Sequence, residues 1–392
     1  MNSKILHAAL YCLAPELSWG LPILLWGAPG SGKTSFLGAA ARRTNLAYKR
    51  ISPAEQGEGG FGVVPVPMSD GGYLAFPPPA WSKPFTANGG GLIFVDEIST
   101  APPALQAPLL GLVQLRTLGD FQFPSRTRIV GAANEAIEAV GGWDLASPLA
   151  NRFGHFEFQG LDADEWSTAL MSGFANTGDD LQSVNAEIEE RRVMEAWPQA
   201  IAVANAVISG FIKRNPGKLH MQPKAHDAKA SKAWPSRRTW QYAAHALASA
   251  QIHWLSEIDT DTFLSGFVGI GCVSELRTWQ TQLDLPNPAD VLDGTVKWQH
   301  DKRRLDRTLV VLGACAGLAA GDKDAKRRIV RGNRCWDLIG SVLEDAADCA
   351  IPAARLLKES KMTTPSEYPS FAKNVKVGAR IYELFVASGM VK

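Results

Sequence analysis

The chain has few cysteines and no pattern among them. Cys12, Cys272, Cys315, Cys335 and Cys349 form an odd set without a C-x-x-C pair. That argues against a disulfide framework or a thiolate zinc site, and for reduced thiols in the cytosol. Long apolar runs are missing too. The longest, Leu309 to Ala320, is broken by glycines and falls short of the roughly 20 residues that cross a bilayer, so no membrane insertion is expected. Met1 to Leu10 lacks the extended apolar region of a secretory signal. Neither sign of charge is in excess: 40 Lys+Arg face 39 Asp+Glu, a net charge of +1. Nothing global therefore points to nucleic acid or a lipid surface. No internal repeat and no long disordered tail is visible. What remains is the composition of a cytoplasmic, globular protein of 392 residues, a length that suits two or three domains.

Against that plain background one segment stands out. Residues 27–34 read Gly-Ala-Pro-Gly-Ser-Gly-Lys-Thr, the G-x-x-x-x-G-K-[ST] pattern of a phosphate-cradling loop. The apolar run Leu21 to Trp26 before it suits a buried parallel strand, and Ser35 to Arg43 after it reads as a helix. Glycines let the backbone turn its N–H groups toward phosphate oxygens, and a helix N-terminus adds partial positive charge there. Gly27, Pro29, Gly30, Ser31, Gly32, Lys33, Thr34 and Ser35 are the candidate nucleotide contacts. Lys33 suits the β- and γ-phosphates of ATP, and Thr34 suits Mg²⁺.

The rest of the chain supplies a frame for this loop. Residues 1–18 read as a short helix leading into the first strand, and Leu46 to Ile51 as a second strand. Residues 57–90 are dense in Gly and Pro, which excludes a long helix. Inside them, Val63 to Met68 and Tyr73 to Phe76 flank Ser69-Asp70-Gly71-Gly72, a β-hairpin pattern. Gly91 to Val95 is a buried strand ending in Asp96-Glu97. Pro102 and Pro103 open a helix to about Leu115, with Ser99 and Thr100 as candidate caps. A second hairpin turns at Gly119-Asp120. Arg128 to Ala133 and His155 to Phe158 are further strands. Beyond residue 160 the pattern is helical, over Ala200–Ile212, Thr239–Leu255, Leu309–Ala320, Trp336–Ala350 and Val375–Val386. Residues 213–233 form a polar loop, and Asn287 caps a helix opened by Pro288. The expected domains are an α/β domain over 1–160, a helical region over 161–285 and a helical extension over 286–392.

Four further elements could complete the chemistry. A hydrophobic strand delivers Asp96 and Glu97 to the carboxyl edge of the sheet, where open α/β folds bind ligands. Asp96 would hold Mg²⁺, and Glu97 would act as general base on the attacking water. Asn134, at the end of its strand, could orient that water. Arg152, in Leu149-Ala-Asn-Arg-Phe153, could stabilise the transferring phosphoryl group in a neighbouring subunit. Ser236-Arg237-Arg238-Thr239 opens a helix from which an arginine could touch the γ-phosphate. Each has an ordinary structural alternative: a solvated acid pair, a strand-end amide, a local ion pair, a basic turn.

Taken in order, these elements resemble the AAA+ ATPases: Walker A, Walker B, sensor 1, arginine finger, sensor 2. Asp96-Glu-Ile-Ser-Thr-Ala-Pro-Pro-Ala-Leu-Gln106 is similar to the MoxR pattern. The hairpin before Walker B resembles that clade's helix-2 insert, and residues 116–128 resemble its pre-sensor-1 insertion. Asp162 to Phe174, with Glu165-Trp166 and Ser172-Gly173-Phe174, and Leu283 to Leu292 are similar to a branch often paired with von Willebrand A (VWA) domain proteins. The resemblance covers roughly residues 1–295. It implies a P-loop sheet flanked by helices, hairpin insertions, a helical lid, ATP and Mg²⁺ as cofactors, and a homo-oligomeric ring, expected to be a hexamer. It also implies family roles for Lys33, Thr34, Asp96, Glu97, Asn134 and Arg152. The family's sensor 2 is Ser-Pro-Arg. Here Ser236-Arg237-Arg238 lacks the proline, which favours Arg238 and leaves Arg237 as the alternative. The implied activity is ATP-driven remodelling of a protein partner, with a VWA protein as the expected companion. In the hairpin, Phe61, Tyr73 or Phe76 would face the client or pack within it. Two other readings stay open. One is a nucleotide-dependent scaffold with little turnover. The other is a DNA-directed motor using the basic loop of Lys213, Arg214, Lys218, His220, Lys224, Lys229 and Lys232, a pattern more often solvated surface.

Overall fold

The computed structural model describes the chain except residues 16–17, 58, 62–63, 69–71, 135–142, 173–184, 225–226, 363–381, 384–385 and 387–392. Two units form, Met1–Val193 with His220–Val273, and Met194–Leu219 with Ser274–Lys392. The first begins α1 (Ser3–Leu10), β1 (Ile23–Trp26), α2 (Lys33–Arg43), β2 (Tyr48–Ile51), α3 (Pro53–Gln56), β3 (Val66–Pro67) and β4 (Leu74–Ala75). It continues α4 (Lys83–Ala87), β5 (Gly90–Val95), α5 (Pro103–Leu115), β6 (Thr117–Leu118), β7 (Phe121–Gln122), β8 (Arg126–Ala133), α6 (Ser147–Ala150), β9 (Gly154–Glu157) and α7 (Ala163–Ser172). Helix α8 (Ala186–Arg214) runs into the second unit. α9 (Arg237–Ile252) and α10 (Glu257–Val268) belong to the first, and α11 (Ile270–Thr281) leaves it again. α12 (Pro288–Asp293), α13 (Leu305–Gly321) and α14 (Ala325–Glu359) belong to the second.

The centre of the first unit is a five-stranded sheet in the order β2-β5-β8-β1-β9, parallel throughout. Strands β1 and β5 are buried at every position. Near-continuous apolar runs of this kind suit a parallel sheet covered on both faces. Leu24, Ile93, Val95 and Ile129 of the sheet pack with Leu105, Leu109 and Leu112 of α5. Phe85, Phe123 and Trp81 add an aromatic group, with Phe85 edge-on to Phe123. Both expected hairpins pair antiparallel, Val66 opposite Ala75 and Leu118 opposite Phe121. The residues of the first turn, 69–71, lie outside the described residues. So do Gly173 and Phe174, and most of the helix expected over Val375–Val386.

Two boundaries differ from the sequence reading for identifiable reasons. Ser99 and Thr100 do not cap α5. Ile98–Thr100 forms a 3-10 turn, and Pro102 is the cap, at φ −62° and ψ 158°. Pro103 keeps the residue before it out of the helical region, so the helix cannot open earlier. Helix α9 starts at Arg237, two residues before Thr239, because Ser236 and Thr239 close a reciprocal capping box. In the second unit, α13 packs along α14, with Cys315, Cys335 and Trp336 in a common core. A Cβ at Gly313 would lie 2.4 Å from that of Ala206, so glycine is what lets α13 approach α8 there.

One buried polar group also shapes the first unit. Arg128, on β8, is 0% exposed. Its Nε donates to Leu10 O at 2.9 Å, its Nη1 to Arg126 O at 2.9 Å and its Nη2 to Glu190 Oε1 at 2.5 Å. Glu190 also takes Arg126 Nε at 2.8 Å. Glu190→Ala would strand a buried guanidinium. We expect it to cost about 3–5 kcal/mol in urea unfolding; a loss below about 1 kcal/mol would place the pair among ordinary surface bridges.

Candidate nucleotide-binding site

The phosphate-loop sequence joins the end of β1 to the start of α2. Gly32 is the cap of α2, at φ 95°, and Gly30 sits at φ 76°. Both lie in the left-handed region where only glycine is unstrained. Nothing lies within 4 Å of a Cβ built on either, so the backbone faces open space. Gly27 is different: a Cβ there would stand 2.5 Å from Phe158 O, so the loop is pressed against the segment after β9.

Register then decides what the loop meets. Trp26 lies beside Ala133, and Val95 beside Gly131. Asp96 and Asn134, the next residues out, therefore leave the sheet at the same carboxyl edge as the loop. Hydrogen bonds draw them together. Lys33 Nζ donates to Gly27 O at 2.8 Å, Ala28 O at 3.0 Å and Asn134 Oδ1 at 3.1 Å. Thr34 Oγ1 donates to Asp96 Oδ2 at 3.0 Å. Lys33 is 7% exposed and Asp96 7% exposed, while Thr34, Ser35 and Glu97 are exposed. Glu97 holds a left-handed backbone, φ 54° and ψ 43°, as the cap of the 3-10 turn after β5. A non-glycine residue there costs on the order of 1–2 kcal/mol. The conformation turns the chain directly after Asp96, and Glu97 N donates to Asp96 Oδ1 at 3.1 Å.

These groups fit a phosphate chain and a hard cation. The open glycine backbone is a cradle that any Cβ would fill, and the Lys33 ammonium already collects oxygen acceptors. A threonine hydroxyl and a carboxylate oxygen 3.0 Å apart are the donor chemistry Mg²⁺ takes.

One member of this edge was not legible as a motif. Arg50, on β2, donates from Nε to Asp96 Oδ2 at 2.7 Å and from Nη1 to Glu55 at 3.0 Å. The hydrogen bond to Asp96 is the main reason its pKa is raised. The guanidinium thus occupies the carboxylate oxygen that Thr34 also bonds, and a metal ion would have to share or displace it. The ion pair is partly exposed, with Arg50 at 34%, so it is worth roughly 1 kcal/mol. Arg50→Ala is expected to lower the Mg²⁺ concentration needed for nucleotide binding about fivefold, read by Mg²⁺ titration at fixed ATP. An unchanged midpoint would separate Arg50 from the metal position.

The arginines lie elsewhere. Arg152, just after α6, donates from Nε to Gln114 Oε1 at 2.7 Å and from Nη1 to Pro148 O at 2.5 Å. Its pKa is lowered by burial, then by the charge of Arg238. Arg152, Arg237 and Arg238 line one cavity of about 410 Å³ with His220 and Trp234. No P-loop residue lines it. Ser236 Oγ donates to Asn151 Oδ1 at 2.8 Å, which fixes the start of α9 beside Arg152. The expected site residues therefore fall into two groups: Lys33, Thr34, Asp96, Glu97 and Asn134 at the sheet edge, and Arg152 with Arg237 and Arg238 in this cavity. In the basic loop, Lys218 pairs with Glu275 at 2.5 Å, and Lys232 lies 3.5 Å above the Trp26 ring.

No protein-family model matches the chain, and no curated protein sequence matches it. Among solved structures it is similar to a candidate ATPase from Cytophaga hutchinsonii, at 15% identity and a TM-score of 0.40. That match covers 70% of this chain and 78% of the other. A likeness at that level supports nothing about activity.

Proposed function

We propose that the protein is a Mg²⁺-dependent ATPase of the MoxR-type AAA+ kind, working as a ring, expected to be hexameric, that remodels or matures a protein partner together with a VWA-domain protein. The observation that carries the ATPase part is the convergence of Lys33 with Asn134 and of Thr34 with Asp96 at one sheet edge, below an open glycine backbone. In this reading Lys33 exchanges its carbonyl partners for β- and γ-phosphate oxygens. Thr34 and Asp96 hold Mg²⁺, which when bound neutralises charge on the phosphates. Glu97 takes a proton from water, and Asn134 orients that water. The position of Arg152 in a cavity free of P-loop residues supports a role on the nucleotide of a neighbouring subunit. Arg238, or Arg237, would then report nucleotide state from α9.

The test is ATPase rate per subunit against protein concentration, with mass measured with and without ATP. A rate that climbs as an ATP-dependent ring forms is the expected result. Assembly without turnover would move the assignment to a nucleotide-dependent scaffold. A rate independent of concentration would remove the ring.

A further inference from the structure

A second cluster of metal-ligating side chains lies in the first unit, formed by residues with no part in the nucleotide site. We propose that His7, Glu189 and His253 form a binding site for a divalent transition-metal ion of the Zn²⁺ class. His7 comes from α1, Glu189 from α8, and His253 caps the C-terminal end of α9. One ligand atom from each lies within 4.8 Å of the others. His7 Nε2 is 3.1 Å from Glu189 Oε1, and His253 Nε2 is 3.2 Å from the same oxygen. A tetrahedral ion with bonds of about 2.0–2.1 Å separates its ligands by about 3.3–3.4 Å, so each histidine needs to part from the Glu189 oxygen by only a few tenths of an ångström.

The protonation of His253 supplies the independent reason. Its Nδ1 lies 2.8 Å from Ser249 O, a carbonyl that can only accept, so Nδ1 carries the proton. The Ser249 hydroxyl is committed as donor to Ala8 O at 2.7 Å and cannot reverse that assignment. Nε2 of the neutral ring is then a lone pair, and it faces a carboxylate oxygen, another acceptor. Among the described residues no hydrogen-bond partner satisfies it, and the side chain is only 5% exposed. Two buried acceptors in contact need a positive centre between them, either a second proton on the ring or a metal ion.

The surroundings are those of a supported site. Ser249 fixes the His253 tautomer, as the outer partners of metal-bound histidines do. Arg192 holds Glu189 at both oxygens, Nη2 to Oε1 at 2.6 Å and Nε to Oε2 at 2.9 Å. With both oxygens taken by the guanidinium, the carboxylate is held in one orientation. The Arg192 charge opposes a second cation, so the expected affinity is weaker than in sites without a neighbouring cation. His7, at 16% exposure, gives the ion its approach. Imidazole nitrogens select Zn²⁺-like ions over Mg²⁺, so the two metals of this protein would not compete. Bound metal would tie α1 to α8 and α9 and stabilise the fold by mass action.

The full-length protein, stripped with chelator and titrated with Zn²⁺ in a calorimeter, should bind one equivalent, and excess Mg²⁺ should not displace it. Co²⁺ should give the visible absorption of a tetrahedral ion. His7→Gln and His253→Gln should each weaken Zn²⁺ binding by about 100-fold or more, with ATP binding retained. If His253→Gln fails to fold, His7→Gln alone decides. Absence of stoichiometric Zn²⁺ binding, or unchanged binding in His7→Gln, would overturn the site. Lys33→Ala should leave Zn²⁺ binding intact, so failure of the nucleotide site and failure of this one are separately visible.

Discussion

Lys33→Ala should abolish measurable nucleotide binding while the protein stays folded. The ammonium is buried at the start of α2 and held by Gly27 O, Ala28 O and Asn134 Oδ1. In the proposed complex it trades these for phosphate oxygens. Each charge-assisted hydrogen bond of that kind is worth about 1.5–3 kcal/mol. Losing two costs about 3–6 kcal/mol, roughly a 10²- to 10⁴-fold rise in Kd. The fold should tolerate the change, because Gly27 O and Ala28 O are backbone carbonyls at an open loop that water can reach. A fluorescent ATP analogue titrated into variant and wild type gives the answer, with circular dichroism to check folding. Asn134→Ala should cost much less, since a neutral amide contributes about 1 kcal/mol. A Lys33→Ala protein that binds ATP as tightly as wild type would refute the assignment of the loop.

That expectation could be written from the sequence because everything behind it is local. Eight consecutive residues carry the loop, and glycine, lysine and threonine each act there through their own backbone or side chain. The buried strands were legible for a similar reason: Leu92-Ile-Phe-Val95 has nowhere to be but inside a sheet. Arg50 was not legible. It reads as one polar residue on a short strand, and only the pairing of β2 with β5, Ile51 beside Val95, brings it to Asp96. The helix starts were misjudged where two rules competed. A serine and a threonine before α5 look like caps, but the steric demand of Pro103 on Pro102 overrides them. The gathering of Arg152 with Arg237 and Arg238 depends on the hydrogen bond from Ser236 to Asn151, a contact across 85 residues. His7, Glu189 and His253 share no spacing at all. Their meeting is a product of helix packing, α1 against α9, which a one-dimensional pattern does not encode.

Glu97→Gln should separate binding from hydrolysis. The substitution keeps the size and the left-handed backbone at φ 54°, and Asp96 and Thr34 remain in place to hold the metal ion. ATP affinity should therefore change little. The amide cannot accept a proton from water, and removing a general base costs about 10²- to 10⁴-fold in rate. Arg152→Ala should reach a similar loss by another route. Removing a transition-state arginine costs about 10³- to 10⁵-fold, yet each subunit should still bind ATP, because Arg152 lies in a cavity without P-loop residues. The two variants differ in where the fault sits. If Arg152 serves the neighbour's nucleotide, a ring mixing Arg152→Ala with Glu97→Gln subunits contains interfaces with an intact Glu97 facing an intact Arg152. Phosphate release from the mixture should then exceed that of either variant alone, with a maximum near equal proportions. Activity in the mixture no higher than the mean of its parts would place Arg152 outside the neighbour's site. Wild-type turnover in Glu97→Gln would remove Glu97 as the base.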